Sequence, residues 1–270
     1  LIPDSLNEYA DGKLLAGTVD RVGYLVINNP ARHNAIGLDM WQAATEALTQ
    51  MQSDGDTRAL VVTGSGGKAF ASGADISKFE KERSTTEAVQ HYQQTSASFY
   101  TALENFPKPT IADIRGYCIG GGLALAVCCD IRLCTEQSRF GVPAAKLGLG
   151  YGYAGISRLC KIVSTSHAQE IFYTARQFSA QEAYDMGLVN RVLSPAMIDA
   201  YVEDYLARIR ENAPMTIATV KAVTLAISQN ESERDLPMLD QMVTDCFESE
   251  DYIEGRRAFM EKRKPEFKGR

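Results

Sequence analysis

The chain reads as an α/β fold whose last third is helical. Three observations carry that reading. Apolar runs of strand length alternate with helix-spaced apolar residues through the first half. Segments beyond about Ser157 read almost entirely as helix. A 45% apolar content over 270 residues is enough for a substantial core.

Gly23 to Asn28 and Ala59 to Thr63 are short apolar runs, and between them Trp41, Ala44, Leu48 and Met51 recur at helical spacing. That is a β-α-β rhythm. The polar, helix-compatible stretch Ser84 to Asn105 leads to Pro107 and Pro109. After these prolines Thr110 to Ile114 reads as a strand running into Gly120, Gly121 and Gly122. Leu123 to Cys129 follows as a buried helix and Ile131 to Cys134 as another strand. Farther on, Ser179 and Glu182 have capping-box spacing, and only Leu188 to Leu193 reads as a strand. The pattern changes near residue 200, which divides a core over 1–200 from a helical region over 201–270.

A net charge of −6 argues against a broad nucleic-acid footprint, although the basic stretch Arg256 to Arg270 suits a phosphorylated small molecule as well as a solvated helix end. The six cysteines show no CxxC spacing, as expected in a reducing compartment. Only His33, His91 and His167 are present and none falls in a ligand-spaced motif, so no metal is expected. No run approaches the about 18 apolar residues of a membrane span, and Leu1 to Asp11 lacks signal-peptide character. A cytoplasmic protein is expected, or a mitochondrial matrix protein if a transit peptide has been removed, with neither membrane nor nucleic-acid partners.

Three glycine clusters invite functional readings. Gly64-Ser65-Gly66-Gly67-Lys68 fails as a P-loop, since the first glycine is too close to Lys68 and Ala69 follows where Ser or Thr is required. Gly150 to Gly155 matches GxGxxG, but no clear strand precedes it, so a nicotinamide-dependent oxidoreductase remains only an alternative. Gly116 to Gly122 comes off a strand and opens a helix, whose first N–H groups lack intrahelical partners and suit an oxygen that gains negative charge. Close helix packing is the competing explanation of those glycines. A second segment, Phe70-Ala71-Ser72-Gly73-Ala74-Asp75-Ile76, bears on the choice.

Together these segments resemble the enoyl-CoA hydratase/isomerase family, the crotonase superfamily. The resemblance runs through Asn28-Asn29-Pro30 to Asn34-Ala35, Phe70 to Ile76, Lys108-Pro109 to Asp130, and Phe140-Gly141. It continues through Ser179 to Ala183, Gly187-Leu188-Val189, and Asp251-Tyr252 to Phe267. It implies a crotonase-like core of stacked β-β-α turns, a C-terminal helical trimerisation region, and assembly as a homotrimer or homohexamer. The ligand it implies is a CoA thioester bound as substrate, with no tightly held cofactor. The backbone N–H groups of Ala74 and Gly121 would form the oxyanion hole. The Ser72 carbonyl would meet the adenine, and Lys262 or Lys264 would reach a CoA phosphate. Asp130 and Arg158 also match family positions, as structural ion-pair formers.

The sequence departs from the family at its two catalytic glutamates. Their positions, two residues after the triple glycine and just after the proline of Phe140-Gly141-Val142-Pro143, are occupied by Ala124 and Ala144. Alanine transfers no proton, and general acid–base catalysis contributes on the order of 10² to 10⁴ in rate. The polar groups expected nearby are Tyr151 and Tyr153, then Cys118, Lys146 and Asp75. Tyr151 falls where superfamily members that decarboxylate methylmalonyl-CoA carry a tyrosine. Tyr117, Ala124, Ala144 and Tyr153 are expected to line the acyl pocket, its shape set by Ser77 to Tyr100. Three functions follow: an enolate-stabilising decarboxylase or carbon–carbon lyase, a hydratase or isomerase for an unusual enoyl-CoA, or a non-catalytic acyl-CoA-binding subunit.

Overall fold

A computed structural model describes residues 1–78, 82 and 84–270. Its strands are β1 (Asn7–Tyr9), β2 (Leu14–Val19), β3 (Val22–Ile27), β4 (Ala59–Gly64), β5 (Ala69–Ala71) and β6 (Thr110–Ile114). These continue with β7 (Tyr117–Ile119), β8 (Ile131–Thr135), β9 (Arg139–Gly141), β10 (Phe178–Ser179) and β11 (Arg191–Leu193). They form a seven-stranded sheet ordered β1-β2-β3-β4-β6-β8-β11 and a four-stranded sheet ordered β10-β9-β7-β5. From β3 to β11 every pairing in the large sheet is parallel. In the small sheet β5, β7 and β9 are parallel and β10 is antiparallel.

One repeating unit explains both sheets. The pairs β4-β5, β6-β7 and β8-β9 each place the first strand in the large sheet and the second in the small one, and a helical segment returns the chain to the next large-sheet strand. This is the stacked β-β-α superhelix expected of the crotonase fold. The turn between β6 and β7 is tight: a Cβ on Gly116, at φ +70°, would lie 2.0 Å from the Lys68 carbonyl oxygen.

Strands β3, β4 and β6 are buried along their whole length, which is why they read as continuous apolar runs rather than alternating ones. One face of the large sheet is covered by helix α1 (Leu38–Ser53), which buries Met40, Trp41, Ala44, Leu48 and Met51. Helix α2 (Thr86–Glu104) packs on α1 and buries Tyr92, Phe99 and Leu103, with Thr85 as its N-cap. The short helix α3 (Gly121–Val127) lies against β5 and β7. Helices α4 (Tyr153–Cys160), α5 (Thr165–Thr174) and α6 (Ala180–Asp185) follow, α6 opened by the Ser179–Glu182 capping box.

The opposite face is covered by α7 (Ile198–Glu211), whose Ile198, Val202 and Leu206 are fully buried against Val22, Val26, Val61, Ile111 and Leu133. Full burial of each such side chain stabilises the fold by about 1.5–3 kcal/mol. The change of pattern near residue 200 thus falls inside a helix that packs on the core sheet. Helices α8 (Pro214–Ile227), α9 (Leu236–Glu248) and α10 (Glu250–Glu261) follow, with α9 packing on both of its neighbours. No helix among the described residues is long and apolar enough to cross a membrane.

Candidate active site

The site is built from two backbone segments at the edge of the small sheet. The first, Ser72 to Asp75, leaves β5 and is clamped by the segment His33 to Ile36. Ser72 N donates to His33 O at 3.0 Å, Ile36 N to Gly73 O at 2.8 Å, and Asp75 N to Ile36 O at 3.1 Å. Two asparagines hold the clamp. Asn34 Nδ2 donates to the carbonyls of Ser65 and Ala69, at 3.0 and 2.6 Å, while its Oδ1 accepts the Asn29 N–H at 2.9 Å. Asn29 Nδ2 reaches Ala35 O at 2.9 Å. Short amide side chains that both donate and accept can fix such a turn, and Asn34 tolerates its left-handed φ of 57°.

The second segment is the start of α3. Gly120, at φ 56° and ψ −117°, is the N-cap, and its N–H donates to Gly141 O at 2.8 Å. A Cβ on Gly122 would lie 2.1 Å from the Ala71 carbonyl oxygen, so only glycine lets the first turn of α3 seat against β5. A Cβ on Gly73 would come within 3.1 Å of Gly121 N, and one on Gly121 within 3.6 Å of Ala74 N. The two amide nitrogens therefore lie no more than roughly 6 Å apart. One oxygen about 2.9 Å from each can bridge that span. Among the described residues neither N–H has an acceptor. The competing explanation of the glycines holds as well: they allow close packing, and that packing presents the paired donors.

The other expected residues sort clearly. Ala124 is one turn into α3, and Ala144 is buried in the 3-10 turn Pro143–Leu147. Tyr151 packs on the main core with its ring centroid 5.0 Å from that of Phe172. Tyr153, expected to line the acyl pocket, is 88% exposed in the single chain. Tyr117 is exposed as well. The pleat of β7 buries Cys118 and leaves Tyr117 exposed on the opposite side, edge-on to His33 at 6.2 Å. Lys262 is the left-handed cap of α10, and Lys264 pairs with Glu211 at 3.0 Å, both in the C-terminal region. Of the stretch expected to shape the pocket, Phe79, Glu80, Lys81 and Arg83 lie outside the described residues.

The lesser candidates are spoken for or out of place. Burial pushes the Cys118 thiol well up, and its Sγ donates to Gly122 O. Lys146 is exposed. Burial raises the Asp75 carboxyl, but the Ser77 hydroxyl and amide and the Arg32 guanidinium outweigh it and hold the group below its ordinary value. Asp130 Oδ2 accepts from Thr110 N and from Lys221 Nζ, each at 2.8 Å, and Arg158 pairs with Glu104 at 2.7 Å, so both are structural ion-pair formers. The GxGxxG match lacks the strand its dinucleotide reading requires, because a 3-10 turn precedes it.

Two features had no clear sequence signal. Tyr100, on α2, donates its hydroxyl to Gly121 O at 3.1 Å. An aromatic residue at helical spacing reads simply as core. A cavity of about 270 Å³ beside the Ser72–Asp75 segment is lined by Lys13, Arg32 and Lys78 among others. These cations come from separate turns and form no run in the sequence.

The enoyl-CoA hydratase/isomerase family model matches residues 18–270. The chain belongs to that family. Among curated members it is 33% identical to a crotonyl-CoA hydratase of Syntrophomonas wolfei, over 92% of this chain and 95% of that one. It is 32% identical to a peroxisomal Δ(3,5)-Δ(2,4)-dienoyl-CoA isomerase of Arabidopsis thaliana, over 93% and 94%. A solved family structure, an enoyl-CoA hydratase/carnithine racemase from Magnetospirillum magneticum, superposes with a TM-score of 0.89 at 32% identity, covering 96% of each chain.

Proposed function

We propose that the chain is an acyl-CoA enzyme whose Ala74 and Gly121 N–H groups polarise the thioester carbonyl and hold the enolate formed from it. The observation that carries this reading is the convergence, at the start of α3, of two N–H groups that have no acceptor among the described residues. Removing one such donor typically costs about 2.7–4 kcal/mol of barrier. The thioester is substrate; the reading requires no bound cofactor or metal. The Ser72 carbonyl faces the adenine, and Lys262 and Lys264 serve a phosphate of CoA.

Decarboxylation of a malonyl-type thioester, or another carbon–carbon lyase reaction, fits the site best. Ala124 and Ala144 stand where two proton-transferring carboxylates would serve a hydratase. Loss of carbon dioxide needs no base: the bond to the carboxylate breaks and its electron pair moves through the α-carbon onto the carbonyl oxygen. Tyr151 orients the departing carboxylate by a hydrogen bond. The names of the relatives favour a second reading, hydration or isomerisation of an unusual enoyl-CoA. A non-catalytic acyl-CoA-binding subunit is the third. Purified protein given crotonyl-CoA, methylmalonyl-CoA and malonyl-CoA, followed for hydration and carbon dioxide release, separates these. Carbon dioxide release with slow crotonyl-CoA hydration is expected. Rapid hydration would replace the first reading with the second, and no turnover with tight CoA binding would leave the third.

A further inference from the structure

Tyr100 is placed to do what the alanines cannot. A Cβ on Gly121 would meet the Tyr100 hydroxyl first, at 3.3 Å, so that oxygen lies within roughly 6 Å of the Gly121 N–H nitrogen. The ring is fixed from below: its centroid is 5.1 Å from Trp41 and 5.9 Å from Phe99, and Trp41 is itself tied to Tyr92 by a 3.1 Å hydrogen bond. Phe99 is fully buried while Tyr100 beside it keeps some exposure. Burial, then the neighbouring Tyr151 and Tyr92, push the Tyr100 phenol well above its ordinary value. It is therefore a protonated donor at neutral pH. The Cys128 thiol, pushed up to about 12 by burial, is committed to Ala124 O.

We propose that Tyr100 is a catalytic residue, the donor that protonates the α-carbon of the thioester enolate held by Ala74 and Gly121. The inference rests on the thioester reading of that site but not on which thioester reacts. Hydration of an enoyl-CoA and decarboxylation of a malonyl-type thioester both end by delivering a proton to the α-carbon. The phenol turns from Gly121 O toward that carbon and its O–H bond breaks. The enolate electron pair forms the new C–H bond while the carbonyl is restored. The phenolate recovers a proton from water.

The test uses the full chain in D2O with methylmalonyl-CoA and crotonyl-CoA. The native protein is expected to place deuterium on one face of the α-carbon. Tyr100→Phe should lower kcat about 100-fold or more, the range of general acid catalysis, with KM little changed and deuterium on both faces of the residual product. The infrared carbonyl band of bound butyryl-CoA should stay where it is in the native protein. A band that reverts toward its position in water would show that Tyr100 acts only by holding Gly121, and would overturn the proposal. So would native turnover and one-face deuteration in the variant. Should Tyr100→Phe not fold, 3-fluorotyrosine at position 100 keeps the packing and makes the phenol more acidic. A several-fold rise in kcat is then expected, and an unchanged kcat overturns the proposal. If the native protein turns over none of methylmalonyl-CoA, malonyl-CoA and crotonyl-CoA, the catalytic readings of the proposed function fall and this inference with them.

Discussion

A methyl group on Gly122 would sit 2.1 Å from the Ala71 carbonyl oxygen, where neither backbone can easily give. Gly122→Ala should therefore cost about 1–3 kcal/mol, the usual penalty of overpacking, and lower turnover by displacing Gly121. Urea denaturation reads the first effect, and an unchanged midpoint would contradict it. Asp130→Ala is expected to cost about 1–3 kcal/mol as well, because it leaves the buried Lys221 Nζ with the Lys108 carbonyl as its remaining partner. Tyr151→Phe has the opposite profile. Turnover should fall strongly while CoA affinity, read by calorimetry, stays nearly constant; unaltered turnover would make Tyr151 a wall of the pocket. Gly120, Gly121 and Gly122 stood out in the sequence because glycine clusters have few explanations. Tyr100 did not, because Trp41, Phe99 and Tyr100 look alike as apolar residues on helices, and only the fold puts one hydroxyl beside Gly121.

Among the elements, the fully buried strands and α1 were the legible ones, whereas the six-residue β2, buried only at alternate positions near its start, was not read. Strands β3, β4, β6 and β8 coincide with apolar runs, and α1 with its helical spacing. The small sheet was illegible, since β5, β7, β9 and β10 are two or three residues long and too short for periodicity to register. Yet this sheet carries both halves of the site. The capping box of α6 was readable from Ser179 and Glu182 alone, and both of its hydrogen bonds form. Ser179→Ala should cost about 1 kcal/mol, measured as a lower thermal midpoint. The Ser179 amide, with Arg176 and the Ser179 hydroxyl, holds the Glu182 carboxyl down to about 2, against an ordinary value of 4.5. Its contribution is therefore complete above about 4.5 and is lost as the pH falls through about 2. The destabilisation by Glu182→Gln should shrink across that window.

At the scale of the whole molecule, the C-terminal helices carry more apolar surface than one chain covers. On α10, Phe259 is 82% exposed and Met260 80%, and on α9 Phe247 is 60% exposed. Such clustering suits burial between subunits. Sedimentation should give a mass of three or six chains, and a single-chain species at micromolar concentration would contradict the expected homotrimer or homohexamer. Lys262 and Lys264 stand at the end of this region, so their proposed service to CoA and the proposed assembly belong to one question. The central claim, that Ala74 and Gly121 polarise a thioester carbonyl, is tested most directly by the infrared band of a ¹³C-labelled butyryl-CoA carbonyl on the protein. The band should move to lower frequency than in water, and part of that shift should vanish when the Ala74 N–H is replaced by an ester oxygen. A bound carbonyl that absorbs at its aqueous frequency, with or without that N–H, would contradict the claim.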